Sequence, residues 1–394
     1  MQAGQRKALL PGTYRMIYLD NAATTRPDPK VVEEMLPWLT EQYMNPSAFY
    51  QPAVKTRAFV ERARQQIAAF LGVSPAGICF TSGGTESDNW AIRTAAELHS
   101  EKGKHIITSA VEHHSVRNTL RYLETKGFEV TRIPVDRNGE ICTDALRKAV
   151  RPDTILITVM HANNELGTIE PVEEIGSIAA ENGIIFHTDA VQTFGHIPID
   201  IERCHIDMLS ASAHKLYGPK GIGLLYIDPG SPFGSFMFGG RQEKGLRPGT
   251  ENVSSIAGFA RAAVLAGERM EEEAAREAAL RDMMGRLLKQ TIPGVRINGT
   301  ADRRLPGILN VTFPGYDAEA LLILLDQNGI CASAGSACSA GALEPSHVLR
   351  ACGFTAEEAK QTLRFSLGKE TTSAEIEETV NVLERIISEG KGRY

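Results

Sequence analysis

A chain of 394 residues exceeds the ~250–300 residues at which single cores stop growing, so one large and one smaller domain are expected. With 42% hydrophobic and 23% charged residues, collagen, coiled-coil and disordered classes are excluded. A formal charge of −6 leaves no general basic surface for a phosphate backbone, which points away from nucleic acid and toward small molecules or proteins.

The N-terminal stretch has only Ala8-Leu9-Leu10 before Pro11, far short of a secretory apolar core. No segment approaches the ~20 apolar residues of a membrane span, so a cytoplasmic protein is expected. Short apolar runs then recur at Ile78–Phe80, His105–Ser109, Ile155–Met160, Gly183–His187, Ile206–Ser210 and Gly221–Ile227. Such runs suit strands buried on both faces. Helical patterns lie between them at Lys55–Leu71, Asp88–Glu101, Thr143–Ala149 and Pro171–Asn182. The alternation predicts an α/β domain with a mainly parallel sheet flanked by helices, whose ligands sit beyond the carboxyl ends of the strands. After about Val264 the texture changes to a charged helix (Glu268–Gln290), the run Ile308–Phe313, an apolar helix (Ala318–Asn328) and an amphipathic end (Ser373–Glu389). This predicts a smaller α+β C-terminal domain.

Several short motifs carry chemistry, each with an ordinary structural alternative. Thr81-Ser82-Gly83-Gly84-Thr85-Glu86-Ser87-Asp88 follows a predicted strand and opens a helix, aiming free backbone N–H groups at an anion such as phosphate. It matches neither the nucleotide P-loop nor the dinucleotide fingerprint, and a plain N-cap reads equally well. Asp189, just after the run Gly183–His187, could meet a cationic ring nitrogen or cap the next helix. Lys215, in Ser210-Ala211-Ser212-Ala213-His214-Lys215, could form a Schiff base, although most lysines are solvated. Cys338 lies among small residues in Ala332-Ser333-Ala334-Gly335-Ser336-Ala337-Cys338-Ser339-Ala340-Gly341, which suits a mobile nucleophile. Its neighbours Cys331 and Cys352 read as buried small hydrophobes. None of the six cysteines forms a C-x-x-C pair, and reduced thiols are expected. Adjacent His113 and His114 are poorly spaced for shared metal ligation.

In order, these motifs resemble the cysteine desulfurases, in the class V aminotransferase group of fold-type-I pyridoxal-phosphate (PLP) enzymes. The resemblance rests on Tyr18-Leu19-Asp20-Asn21-Ala22-Ala23-Thr24-Thr25, Asn45-Pro46-Ser47, Thr81–Asn89, Glu112-His113-His114 and Asn163-Asn164-Glu165. It continues through His187-Thr188-Asp189-Ala190-Val191-Gln192, Ser210–Gly221, Gly239–Asn252, Gly335-Ser336-Ala337-Cys338 and Leu363-Arg364-Phe365-Ser366. The wording from Gly335 to Leu343-Glu344-Pro345-Ser346 is similar to the long-loop subgroup, whose cysteine rides on a mobile loop.

The resemblance implies a fold-type-I transferase, with residues 25–265 as the PLP-binding domain and residues 1–24 and 266–394 as the small domain carrying the cysteine loop. It implies that Lys215 holds PLP covalently and moves the substrate's Cα proton. Asp189 would pair with the pyridine nitrogen, His113 would stack on the ring and help move protons, and Gln192 and Asn164 would bond the phenolic oxygen. Gly84, Thr85, Ser212 and His214 would hold the phosphate, with Thr250 from the other subunit of a homodimer. Arg364, helped by Asn164, would hold the substrate carboxylate. L-cysteine would yield alanine and a Cys338 persulfide. The sulfur would pass to an acceptor for iron–sulfur assembly or for tRNA or cofactor thiolation. No metal site is implied, apart from transient ligation of an iron–sulfur cluster by Cys338.

The chain departs from the family pattern in carrying Phe49-Tyr50 where many members have His. It also stops at Tyr394, short of the extended tail with which housekeeping members dock a scaffold, so a tRNA-thiolation enzyme stands beside a scaffold as acceptor. A selenocysteine or cysteine sulfinate lyase on the same frame is the nearest rival, and Cys338 favours sulfur transfer over it. An aminotransferase gives the cysteine no role. A catalytically silent protein-binding module is opposed by the intact set Lys215, Asp189, His113, Cys338 and Arg364.

Overall fold

Strands without a polar face need cover on both sides, and the runs picked out in the sequence are strands of this kind. The computed structural model describes residues 16–335, 345–390 and 392. It starts with β1 (Ile17–Tyr18), α1 (Pro29–Thr40), α2 (Gln51–Leu71), β2 (Ile78–Thr81), α3 (Gly84–Leu98) and β3 (His105–Ser109). Next come α4 (His114–Glu124), β4 (Glu129–Ile133), α5 (Thr143–Ala149), β5 (Thr154–Thr158), α6 (Val172–Glu181), β6 (Ile185–Asp189), β7 (Met208–Ser212) and β8 (Gly223–Ile227). The long α7 (Val253–Thr291) leads to β9 (Arg296–Asn298), β10 (Ile308–Thr312), α8 (Ala318–Gln327) and β11 (Ile330–Cys331). The described chain ends with α9 (His347–Ala351), α10 (Ala356–Lys360), β12 (Thr362–Ser366) and α11 (Ser373–Ser388).

The large sheet has the order β2-β8-β7-β6-β5-β3-β4. Its strands run parallel from β7 through β4, while β8 is antiparallel to both neighbours. The carboxyl ends of β2, β3, β5, β6 and β7 therefore share one edge, as the expected α/β architecture requires. Five residues in a row are buried in β3, β5, β7 and β8, so these strands are covered on both faces. A second, antiparallel sheet, β12-β10-β9, packs an apolar cluster of Leu309, Val311, Leu363 and Phe365 against Met284 and Leu288 of α7 and Leu383 of α11. β1 pairs in parallel with β11, which draws Ile17 and Leu19 into that second cluster.

Two boundaries differ from the sequence reading for clear reasons. α7 begins at Val253 rather than Glu268, because its first turns bury Ile256, Phe259, Ala260 and Ala263 and so lack the charged face that marks a surface helix. α3 begins at Gly84 rather than Asp88, since its N-cap is Gly83, which gives no side-chain capping signal. α4, β4 and β12 carry too little uninterrupted apolar sequence to stand out. Cys352 is buried as expected, whereas Cys331 is half-buried at the sheet edge.

One buried ion pair locks the stretch that follows β8. Arg64 of α2 grips Glu243 with two hydrogen bonds of 2.7 and 2.8 Å. Phe80 N–H donates to Glu243 at 2.9 Å and Arg64 donates to Ile78 O at 2.7 Å, which ties α2, β2 and the turn together. Glu243 and Lys244 take left-handed φ values of 45° and 60°, and the pair holds them there. Glu243→Ala leaves the buried Arg64 guanidinium to Ile78 O and the more distant, half-exposed Glu61, and is expected to destabilise the fold by ~3 kcal/mol in denaturant unfolding, with Glu243→Gln losing less.

Candidate active site

Sheet order brings together residues far apart in sequence at the shared carboxyl edge. Asp189 ends β6 and is buried, with Oδ1 accepting Val191 N–H at 2.9 Å. Burial pushes its carboxyl up to about 6, and the Val191 N–H and the Lys215 charge oppose that rise. Lys215 lies on a short 3₁₀ turn, Ala213–Lys215, directly after β7, and its Nζ donates to Ala22 O and Ala23 O at 2.5 and 2.8 Å. The N-terminal segment 18–25 thus forms one wall of the site. Gln192 Nε2 donates to the same Ala22 O at 3.1 Å. A cavity beside Lys215 is lined by Asn21, Gln192, His196 and Ser366.

The phosphate candidates stand at the amino end of α3. Gly84 is its first residue, and a Cβ there would come within 2.4 Å of Val191. Gly83, at φ 149°, would direct a Cβ toward Ser212 Oγ at 3.7 Å, so its absence keeps open a cradle between the helix N-terminus and Ser212. Thr85 is exposed on the same turn, and His214 bonds Thr24 Oγ1 at 3.1 Å. Burial, with Lys215 and Lys220 nearby, holds His214 down at about 4. Thr250 is exposed on the stretch that Arg247 ties to α3 through Glu86, at 2.8 and 3.0 Å.

His113 caps α4, with Nδ1 2.6 Å from Ser115 Oγ. Burial first, then Lys215 and His114, hold it down at about 4, so its imidazole is neutral at physiological pH. Arg364 is 1% exposed, so its guanidinium lies inside the fold rather than on the surface. Its Nη2 pairs with Asp20 at 2.7 Å and its Nη1 donates to Asn164 O at 3.0 Å, while its buried Nε has no partner among the described residues. That leaves one arm of the guanidinium fork for an incoming carboxylate. Cys338 lies outside the described residues, and Ser333, shortly before it, pairs with Arg364 through backbone hydrogen bonds of 2.6 and 3.1 Å.

The sequence reading missed a set of buried acids behind this front. Asp88 and Glu112 are buried, and each has one carboxyl oxygen without a partner among the described residues. Asp88, Glu112 and Asp20 were each quoted within a motif but given no role. The available signal was a carboxylate at Asp88 on the same helix face as Ser87, Trp90 and Ala91. Glu112 accepts from Ser109 Oγ at 2.5 Å and from Met160 N–H at 3.0 Å, and burial pushes it up to about 8. The folded state therefore keeps a proton that the unfolded chain gives up above ~4.3. Glu112 contributes stability that is full below that value and lost as pH rises toward about 8. Glu112→Gln is expected to flatten the fall in unfolding free energy between pH 6 and 8, by up to ~1.4 kcal/mol per pH unit in denaturant titrations.

The donor set fits PLP. It offers a buried carboxylate for a cationic ring nitrogen, a lysine amine for a carbonyl, and a glycine-lined helix N-terminus with Ser212 for a phosphate. Comparison with known proteins agrees. The family model for aminotransferase class-V matches residues 17–379. A relative from Methanosarcina thermophila, named cysteine desulfurase IscS, is 49% identical over 374 residues, spanning 95% of this chain and 92% of its own. A solved structure described as a NifS-like protein superposes with a TM-score of 0.90 at 40% identity, covering 95% of this chain and 99% of that one. Another, described as SspA in complex with cysteine, gives a TM-score of 0.80 at 38% identity, covering 90% of this chain and 100% of that one. Fold, site chemistry and these likenesses agree: the chain belongs to the cysteine desulfurases of the class-V aminotransferase family.

Proposed function

We propose that this protein is a PLP-dependent cysteine desulfurase that takes sulfur from L-cysteine, releases L-alanine and carries the sulfur as a persulfide on Cys338. The observation that carries the reading is the meeting of Lys215 with buried Asp189 at the carboxyl edge of the sheet, where the lysine charge opposes the rise of the Asp189 pKa. The likeness to a NifS-like structure and to one holding cysteine supports it.

When bound, PLP supplies a protonated pyridine ring that accepts the electron pair left at Cα. Asp189 would hold that ring nitrogen, His113 would cover the ring face, and Gln192 and Asn164 would hydrogen-bond its phenolic oxygen. Ser212, His214 and the α3 N-terminus at Gly84 and Thr85 would bind the phosphate, with Thr250 from a second copy of the chain. Arg364 grips the substrate carboxylate with the arm that Asp20 and Asn164 leave unused. The Lys215 amine takes the Cα proton and later returns it. The Cys338 thiolate attacks the substrate Sγ, so that an S–S bond forms as the Cβ–Sγ bond breaks and its electron pair stays with the carbon fragment, which protonation completes as alanine.

Exposed Val32, Leu36 and Leu39 on α1, with Tyr43, Phe49 and Tyr50 after it, support a homodimer. The separate apolar clusters around β3–β8 and around β10–β12 support division into residues 25–265 and residues 1–24 with 266–394. Among the described residues no helix is long and apolar enough to cross a membrane. The sulfur acceptor is taken to be an iron–sulfur scaffold or a tRNA-thiolation enzyme in the cytoplasm. Mixing the protein with stoichiometric L-cysteine and measuring alanine and intact protein mass tests the reading. Alanine with one added sulfur per chain supports it, and a keto acid in place of alanine refutes it.

A further inference from the structure

Beneath the site, the hydrogen positions around Ser115 can be counted. The Ser115 backbone N–H points at His113 Nδ1 at 3.2 Å, so that nitrogen presents a lone pair. Ser115 Oγ lies 2.6 Å from the same Nδ1. With no hydrogen on Nδ1, the hydroxyl must donate its single proton there. Ser115 Oγ also lies 2.6 Å from Asp88 Oδ2. The reverse arrangement, Nδ1–H to Oγ and Oγ–H to an ionised Asp88, would set the Ser115 N–H against a ring hydrogen, so the proton on this second contact is assigned to Asp88.

The surroundings of Asp88 favour the same assignment. Its Oδ1 is buried and without a hydrogen-bond partner among the described residues. His187 Nε2, 3.7 Å away, is committed to Ser210 Oγ at 3.0 Å, while His187 Nδ1 bonds Thr158 at 2.8 Å. Burial holds that imidazole down at about 3, so it brings no positive charge. Asp189 and Glu112, from the strand and loop packed against Asp88, are both acids, and burial followed by the Asp189 charge pushes Asp88 well above the carboxylate range, outweighing the opposing pull of Ser115 and Ser210. Lys215, the nearby cation, acts on Asp189 and His113. Atoms of Asp88, His113 and Asp189 lie within 4.8 Å of one another, so two ionised carboxylates there would repel across a short buried distance, and the Lys215 charge favours ionisation at Asp189.

We propose that Asp88 is a positioning residue that keeps its proton, donates it to Ser115 Oγ, and through that hydroxyl fixes His113 with its ring proton on Nε2, leaving the buried negative charge on Asp189. The proposal rests on the cysteine desulfurase reading for its importance to turnover, though not for the protonation itself. A neutral Asp88 spares the carboxylate that must face a cationic ring from a like charge beside it. It also gives His113 a set tautomer and orientation, as general acid–base groups require.

The test uses the holoenzyme at pH 7. A wild-type-minus-Asp88→Asn infrared difference spectrum is expected to show the carbonyl band of an un-ionised carboxyl group, and a carboxylate band there overturns the proposal. In kinetics with L-cysteine, Asp88→Ala and Ser115→Ala are each expected to lower kcat/KM by ~10–100-fold, and the double variant by no more than either alone. Asp88→Asn, whose amide N–H can still donate to Ser115, is expected to recover most of the loss. A loss as deep as that of Asp88→Ala, or fully additive losses in the double variant, overturns the proposal. The infrared band needs no turnover, so a protein with the un-ionised band that forms no alanine would sink the desulfurase reading alone.

Discussion

Lys215→Ala is expected to leave a folded protein that turns over L-cysteine ~10²–10⁴-fold more slowly, from lost proton transfer alone. Loss of covalent cofactor attachment adds to that. Lys215 Nζ also donates to Ala22 O and Ala23 O, charged-donor bonds worth about 1.5–3 kcal/mol each, so the variant is expected to melt earlier than the wild type while staying folded at assay temperature. Circular dichroism should match the wild type, while the visible absorbance of a lysine-bound cofactor disappears. A variant that keeps near-normal turnover would remove Lys215 from the chemistry.

Arg364→Ala is expected to raise KM for L-cysteine by about 100-fold, in line with the 2–5 kcal/mol lost when one partner of a buried charged hydrogen-bond pair is truncated. If Arg364 holds the substrate carboxylate as proposed, it does so in the ground state and the transition state alike, so kcat should fall far less than KM rises. Arg364→Lys keeps the charge but not the fork that Asp20 and Asn164 O already occupy in part, and should recover little. The measurement is steady-state alanine formation across a wide L-cysteine range. An unchanged KM would show that the open arm of Arg364 does not receive the substrate.

The front of the site was legible in sequence because each element of it has a local signature. Lys215 and Asp189 follow apolar runs, which is where an α/β sheet presents its ligands, and the Gly83-Gly84 turn sits between a strand and a helix. The acids behind that front were not legible. A carboxylate on a helix reads by default as part of a solvated face, and Asp88 is buried because His187, Asp189 and Ser210, about a hundred residues later, pack against it on β6 and β7. Arg364 illustrates the same limit. Its residue type suggested an anion site, but its burial comes from Asp20 and Asn164 on distant segments. The early start of α7 was hidden because its apolar first half looks like a core run, and only packing against α1 and α2 reveals it as a helix.

The most direct test of the central claim is L-cysteine turnover by wild type and Cys338→Ala, with alanine, sulfide and protein-bound persulfide measured together. The expected result is alanine and persulfide from the wild type, and from the variant cofactor-band changes on cysteine binding without persulfide or sulfide. Equal sulfide release by both proteins would contradict sulfur transfer through Cys338 and make this chain a direct lyase.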